Sequence, residues 1–265
     1  MKTLHTSAGF SLLEMIGVMA VMAILAGALA PSIFQMIEEG YQGAEAQSME
    51  TVAEALQDYV RYTKTIPTDQ ADNWTTAVAD YAGLSPNRVR YNDKNFERRL
   101  YIDPDFFGGG GGGSGTFFSQ DQGLSNMPVS PRVMLVSSLD GAVRQRLNSA
   151  DRFDDVWNQE SDARIKESKT VFIERVNLAP LFKRVVLSNA NASQAGYVLE
   201  SGSEGSIAGE SGGSDGVRTI YVVAGSKLSL RAAPYPGGTT MRQLIVDRDV
   251  SVRYETDGVS WYWAS

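Results

Sequence analysis

The chain has no cysteine, and its single histidine is His5. Without cysteine, neither disulfide bonds nor thiolate metal sites can form. Histidine is the commonest general base and a common metal ligand, so one histidine near the N-terminus offers little for either role. We therefore expect a non-enzymatic protein without a bound cofactor.

Positive charge is also scarce, because 24 Lys and Arg residues stand against 31 Asp and Glu residues, for a net charge of −7. Nucleic-acid binding requires clustered Lys and Arg side chains that neutralise phosphates. The one local basic stretch, Arg88 to Arg99, is interpreted as a solvated face. We expect no nucleic acid among the partners.

Charge is absent altogether from the 23 residues Met15–Ile37. As a helix, such a run is long enough to cross the ~30 Å hydrocarbon layer of a membrane. Glu14 directly precedes it, and a charged side chain opposes insertion by roughly 2.5–3.5 kcal/mol at a helix centre and by less near an end. The carboxylate of Glu14 should therefore have a function.

The segment Gly9-Phe10-Ser11-Leu12-Leu13-Glu14 resembles the processing site of the type IV pilins and type II secretion pseudopilins. In that family a short basic leader ends in glycine, phenylalanine is the first mature residue and glutamate the fifth. Gly9, Phe10 and Glu14 match these positions. Pro31 falls at mature position 22, where family helices often bend. The resemblance extends over about the first 60 residues.

The resemblance implies that residues 1–9 are a leader, removed between Gly9 and Phe10 by the inner-membrane prepilin peptidase. The same enzyme methylates the new amine of Phe10. The processed subunit then joins other pilin or pseudopilin subunits in a filament with the help of an inner-membrane assembly platform. The implied function is a structural filament subunit of a type IV pilus or a type II secretion system.

Glu14 is the predicted assembly residue. In a filament core its carboxylate would be buried, and an unpaired buried carboxylate is very costly. The Phe10 amine of a neighbouring subunit would supply the opposite charge and set the register between subunits. Because that amine exists only after cleavage, the leader would keep unprocessed subunits out of the filament.

The charges that flank the apolar run predict the membrane orientation. Lys2 precedes the run, and Glu38 and Glu39 follow it, so the N-terminus should be cytoplasmic and the remainder exported from the inner membrane as a single-pass protein. One alternative is a permanent single-span anchor for an exported binding or adhesion protein. Another is a cleaved signal peptide ending at Ala28-Leu29-Ala30, although Pro31 after the cut disfavours it.

One long helix is predicted over residues 10–62. Residues 15–37 form its transmembrane or filament-core part, and the rest is amphipathic. Pro31 should kink the helix because it lacks an N–H. Small residues recur at helical spacing, which favours close packing of neighbouring helices; they are Ala20, Ala23, Gly27 and Ala30.

Residues 63–265 should form an exported globular head, giving an α+β fold in which the long helix packs on a mainly antiparallel sheet. A helix is predicted at Asn73–Gly83, with strands at Arg99–Ile102 and Arg132–Ser138 and further strands after residue 170. The glycine-rich segments 108–115 and 201–217 are predicted to be surface loops.

Two hairpins are predicted in the C-terminal part. Gly225-Ser226 should join the strands Thr219–Ala224 and Lys227–Ala232. Asp257-Gly258 should join two further strands, pairing Tyr254 with Trp261 and Val252 with Trp263. These aromatic pairs should share one face and anchor the sheet to the core.

Calcium is the only metal for which the head offers candidate ligands. Asp103, Asp105 and Asp121 carry the oxygen ligands that calcium takes, although turn and surface roles are the more common explanation for such residues. The absence of cysteine also removes the C-terminal disulfide loop common in pilus-forming pilins. Together with a head of about 200 residues, this favours a pseudopilin or minor pilin.

Overall fold

The computed structural model describes residues 12–67, 71–106, 128, 130–143, 147, 149–158, 170–200, 202, 204–255 and 260–263. Four α-helices lie in these ranges, and they are α1 (Leu12–Thr63), α2 (Ala71–Ala82), α3 (Pro86–Arg90) and α4 (Ala150–Asn158). The strands are β1 (Arg99–Ile102), β2 (Arg132–Ser138), β3 (Val171–Asn177), β4 (Phe182–Asn189), β5 (Ala195–Leu199), β6 (Glu204–Ile207), β7 (Gly216–Val223), β8 (Ser226–Arg231), β9 (Thr240–Val246), β10 (Val250–Tyr254) and β11 (Trp261–Trp263). The predicted α+β class, with a long N-terminal helix and mainly antiparallel strands, is confirmed.

The chain divides into two compact units at Ala46 and Gln47, within α1. In the first unit the described residues form the N-terminal part of α1, which continues through Pro31. The observed helix ends at Thr63, one residue beyond the predicted end, and the predicted first residues 10 and 11 lie outside the described residues. A kink at Pro31 remains a prediction.

The part of α1 that belongs to the second unit buries one face. Met49, Val52, Leu56 and Val60 follow each other at spacings of three and four residues and are almost fully buried. That spacing places them on one side of a helix, as the amphipathic pattern predicts. They share a core with Trp74 of α2 and with one face of the first sheet.

The end of α1 is fixed by Lys64, which adopts a positive φ of 58°. Its backbone N–H donates to the carbonyl of Val60, and its Nζ donates to the carbonyls of Arg61 and, at 2.9 Å, of Ala224. The side chain thereby satisfies a carbonyl that the helix leaves unpaired at its C-terminus.

The first sheet has the order β1-β2-β3 and is antiparallel throughout. Side chains of β2 alternate between two cores. Val133 and Leu135 face the core that contains α1, whereas Met134 and Val136 face a second cluster with Phe153 of α4. The strands predicted at Arg99–Ile102 and Arg132–Ser138 are confirmed at both ends, and the helix predicted at Asn73–Gly83 is α2.

From Phe182 onward the chain forms a β-sandwich of two four-stranded sheets, ordered β11-β10-β4-β7 and β6-β5-β8-β9. Among the described strands, β4 and β10 make the one parallel pair. The sandwich has its own core, which includes Val185, Tyr197, Leu230 and Tyr254. The described part of the head therefore contains three sheets, where a single sheet was predicted.

The predicted hairpin at Gly225-Ser226 is wrong. The strands β7 and β8 on either side of this turn belong to different sheets and do not pair with each other. Gly225 adopts a φ of +82°, and its N–H donates to the carbonyl of Val246 in β9. The turn carries the chain from one layer of the sandwich to the other, because each strand buries a face against the opposite sheet.

The prediction that 201–217 is a loop is also wrong for part of this segment, which contains β6 and the start of β7. Close packing explains several of its glycines. A Cβ on Gly205 would lie 2.2 Å from the ring of Tyr197, and one on Gly216 would lie 2.0 Å from the carbonyl oxygen of Ala208. The other predicted loop, 108–115, lies outside the described residues.

The C-terminal hairpin has the predicted register, with Tyr254 opposite Trp261 and Val252 opposite Trp263. The turn residues Asp257 and Gly258 lie outside the described residues. Tyr254 and Trp261 are buried in the sandwich core, as predicted, but Trp263 remains 53% exposed. Trp263 lies on the short edge strand β11, where no further strand covers it among those described.

Candidate functional site

The described part of the N-terminal segment begins at Leu12, so the predicted processing residues Gly9 and Phe10 lie outside it. Glu14 occupies the first turn of α1. The partial positive charge of a helix N-terminus favours a carboxylate at that position. The carboxylate of Glu14 therefore stabilises the N-terminus of α1, and its side chain is exposed on the helix surface.

The apolar part of α1 is exposed along its whole length. Its large side chains, among them Ile24, Leu29 and Phe34, are each at least half exposed. This is the one helix, among the described residues, with the length and composition to cross a membrane. Length and composition alone are weak support for a span, since signal sequences also have them. They agree with a membrane-anchored, single-pass protein.

The small-residue stripe and Glu14 lie on different sides of this helix. At 100° per residue, Ala20, Ala23, Gly27 and Ala30 fall within an arc of about 80°, and Glu14 lies about 160° from its middle. A Cβ on Gly27 would meet no atom of the chain within 4 Å. A neighbouring helix could therefore approach the stripe while Glu14 contacts a different neighbour.

Two of the three calcium candidates, Asp103 and Asp105, lie within the described residues. The carboxylate of Asp103, only 1% exposed, accepts a hydrogen bond of 2.7 Å from Nε of Arg132. It also accepts the backbone N–H of Asp105. Burial raises the pKa of Asp103, although both donors favour its ionised form. Asp121 lies outside the described residues. Among the described residues, no group of three or more His, Asp or Glu side chains is arranged to hold a metal ion.

Arg132 is the centre of a cluster that sequence reasoning did not identify. Its guanidinium also pairs with Asp154 of α4 and lies 5.6 Å from the ring centroid of Phe153 and 5.2 Å from that of Trp157. The cluster attaches α4 to the start of β2. Nothing in the local sequence signals it, because its members lie up to 54 residues apart. Its chemistry is that of a structural ion pair.

Comparison with known proteins gives one informative result. Residues 4–30 match the family described as the prokaryotic N-terminal methylation motif. This range includes Gly9, Phe10, Glu14 and the small-residue stripe. No curated protein matches the chain.

Solved structures give only distant likenesses. Pneumolysin has 14% identity and a TM-score of 0.20 over 50% of this chain and 38% of its own. Intermedilysin, a human-specific toxin, has 11% identity and a TM-score of 0.20 over the same shares. A non-hemolytic pneumolysin from Streptococcus pneumoniae has 12% identity and a TM-score of 0.19 over 52% of this chain and 40% of its own. The chain spans about 40% of the length of these proteins, and such low scores indicate neither fold nor function.

The matched motif is a structural one and does not define a class of enzymes. It implies processing by prepilin peptidase and assembly with other pilin subunits. The matched residues include Leu12 to Ala30 of α1. The N-terminal segment of this protein therefore carries the prepilin-type signature of the type IV pilins and pseudopilins.

Proposed function

We propose that the protein is a structural subunit, a pseudopilin or minor pilin, of a type IV pilus or type II secretion filament. Prepilin peptidase would cut between Gly9 and Phe10, and the mature subunit would assemble through α1. The observation that carries the proposal is the methylation motif at residues 4–30, which overlaps the exposed apolar part of α1 and includes Glu14 in the first turn of that helix.

The exposure of α1 supports assembly through this helix. A contiguous apolar surface of this length is unfavourable in water and requires lipid or other apolar helices around it. Before assembly the bilayer would cover it, with the N-terminus cytoplasmic and the head exported across the inner membrane. After assembly the helices of neighbouring subunits would replace the lipid.

Glu14 would select processed subunits during this exchange. Lipid headgroups and water can solvate its carboxylate at the membrane edge, but a filament core cannot. The methylated amine of Phe10 on a neighbour would restore an opposite charge. The small-residue stripe, on the other side of α1, would allow a second neighbour to pack closely.

The first test replaces Glu14 and measures incorporation into filaments. Glu14→Ala should insert and lose its leader normally, yet its share of purified filaments should fall by about tenfold or more, because the subunit loses a charge pair in an apolar core. Glu39→Ala is the matched control, since it removes the same side chain from the same helix just beyond the apolar run.

Equal incorporation of Glu14→Ala and Glu39→Ala would contradict the assembly function of Glu14. Failure of both variants to insert would instead indicate that membrane insertion requires the acidic side chains on either side of the apolar run. Immunoblots of sheared filaments and of membranes separate these outcomes.

The second candidate function is an exported binding or adhesion protein with a permanent N-terminal anchor. The observation that favours it is the β-sandwich after Phe182, which has its own core and lies apart in sequence from the motif. Such a protein would retain Met1 and would occur in membranes without entering filaments. The mature N-terminus distinguishes the two functions.

A further inference from the structure

Residues 38–44 of α1 lie between the apolar run and the part of the helix that packs in the head. The apolar run ends at Ile37, and Glu45 is the first buried residue of α1 among those described. Each of residues 38–44 is at least partly exposed. None of them belongs to a hydrophobic core in the described part of the chain. We call these seven residues the linker segment.

The linker segment is helical although it lacks the support that usually maintains a helix. Most of the stability of a protein helix comes from packing of an apolar face, whereas the backbone hydrogen bonds of an isolated short helix are marginal in water. The segment continues α1 without interruption, but no core covers it. Its helical structure is therefore the least supported in α1 outside the apolar run.

Two of the seven residues of the linker segment are glycines. Gly40 and Gly43 each weaken a helix interior relative to alanine, because glycine loses more backbone freedom on folding. A Cβ on either residue would meet no atom of the chain within 4 Å. Neither glycine is among those that adopt a positive φ. Packing and turn geometry therefore do not explain them, and their effect is to weaken the helix at this point.

Ion pairs along the helix cannot compensate for the glycines. Acidic and basic side chains three or four residues apart stabilise a helix surface. No Lys or Arg lies between Lys2 and Arg61. The linker segment therefore has no basic side chain within helical reach of Glu38 or Glu39.

Pro31 is another weak point of α1, but its surroundings differ. Proline removes one helical hydrogen bond. Pro31 lies inside the apolar run, where lipid offers no hydrogen-bond partner to the backbone groups that a wider opening would free. The linker segment lies beyond the run, where water can solvate freed N–H and C=O groups. Opening of the helix is therefore less costly in the linker segment than at Pro31.

We propose that the linker segment is a hinge at which α1 opens and bends. Its opening lets the apolar part follow the surrounding bilayer while the core that begins at Met49 stays intact. The hinge rests on the proposed function only for the membrane around the apolar part. It requires neither cleavage at Gly9 nor filament assembly, so its failure would leave the proposed processing and assembly unaffected.

The test measures a distance along α1 in the full-length chain, which has no cysteine of its own, after insertion into lipid nanodiscs. Nitroxide labels on Gln35→Cys and Glu54→Cys flank the linker segment, and both positions are exposed and lie beyond Pro31. In an unbroken helix the two Cα atoms are about 28 Å apart. Double electron–electron resonance should instead give a broad distribution that extends to shorter distances.

A second pair of labels provides the reference for an unbroken helix. Gln47→Cys and Arg61→Cys are also exposed positions of α1, but they lie in the part that packs in the head. Their distribution should be narrow and centred near about 21 Å.

Alanine substitutions test whether the glycines cause the bending. Gly40→Ala combined with Gly43→Ala should narrow the Gln35–Glu54 distribution about twofold or more, because alanine favours the helix. Gly17→Ala combined with Gly27→Ala is the matched control. It also replaces two glycines of α1 that have no atom within 4 Å of the added Cβ, but both lie in the apolar run. It should leave the width unchanged.

The hinge is overturned if the two label pairs give equally narrow distributions in the chain with its natural glycines. It is also overturned if alanine at residues 40 and 43 fails to narrow the Gln35–Glu54 distribution. Equal narrowing by alanine at residues 17 and 27 would likewise contradict a hinge in the linker segment.

Discussion

The two parts of α1 contain the same types of apolar residue in opposite surroundings. Leu25 in the first compact unit is 54% exposed, whereas Leu56 in the second is fully buried. Both parts form regular helix, so local conformation does not account for the difference. The second part is covered by its own chain, whereas the first is exposed and, in the proposed function, would be covered by lipid or by other subunits. Folding of the head would then depend on one part of α1 and assembly on the other.

The largest effects are expected from aspartate at Leu25 and at Leu56. One substitution should affect membrane insertion and the other should affect folding. Leu56→Asp would bury a carboxylate in the core at a cost of several kcal/mol, close to the total stability of a typical domain. The second unit should then fail to fold. Leu25→Asp should leave it folded but oppose membrane insertion by roughly 2.5–3.5 kcal/mol.

Limited proteolysis and membrane fractionation of the full chain measure both effects. A protease-resistant head in Leu56→Asp, or a protease-sensitive one in Leu25→Asp, would contradict the separation between the two halves of α1.

The ion pairs of the head allow a second comparison between buried and exposed environments. Arg132→Met should lower the free energy of unfolding by about 3–5 kcal/mol, because it leaves the buried carboxylate of Asp103 without its partner. Arg184→Met is the control. Arg184 lies 3.9 Å from Asp249 in an exposed pair, and its loss should cost at most about 1 kcal/mol. Denaturant titration of the full chain in detergent gives both values, and equal losses would refute the structural function of Arg132.

Glycine substitutions should show the smallest effects and opposite signs in the two units. Gly205→Ala should destabilise the sandwich by about 1–3 kcal/mol, since its Cβ would overlap the buried ring of Tyr197. Gly43→Ala lies in α1 with no atom within 4 Å of the added Cβ. It should stabilise the helix by about 0.5–1 kcal/mol. Thermal unfolding of the two variants measures the signs, and destabilisation by both would contradict the open surroundings of Gly43.

Local sequence patterns predicted much of this fold because they reflect local physics. The amphipathic pattern of the helix beyond residue 37 predicted that α1 buries one face. The Asp257-Gly258 signal predicted the register of Tyr254 with Trp261, since a two-residue loop allows few alternatives. The strands at Arg99–Ile102 and Arg132–Ser138 followed from short apolar runs.

The errors occurred where the outcome depends on distant parts of the chain. A turn such as Gly225-Ser226 reverses the chain, but whether its strands pair or enter different sheets is decided by the cores on which they pack. Glycines in 201–217 suggested flexibility, although Gly205 is required by the ring of Tyr197. The Arg132 cluster joins residues far apart in sequence and had no local signal.

The candidate site was predictable to a different degree. The motif at Gly9–Glu14 is contiguous, so the sequence alone revealed it, and the match over residues 4–30 agrees. The calcium candidates were predicted from composition alone. Asp103 forms an ion pair with Arg132 that the sequence did not predict, and calcium binding stays a prediction.

The mature N-terminus is the most direct test of the proposed processing. Mass spectrometry of the protein from producing cells, with the peptidase present, should find a chain that begins at Phe10 with an N-methyl group. Gly9→Leu should retain the leader, because the peptidase no longer recognises its cut site, and should therefore keep the full mass. A wild-type chain that still begins at Met1, or one cut after Ala30, would contradict the assignment of residues 1–9 as a prepilin leader.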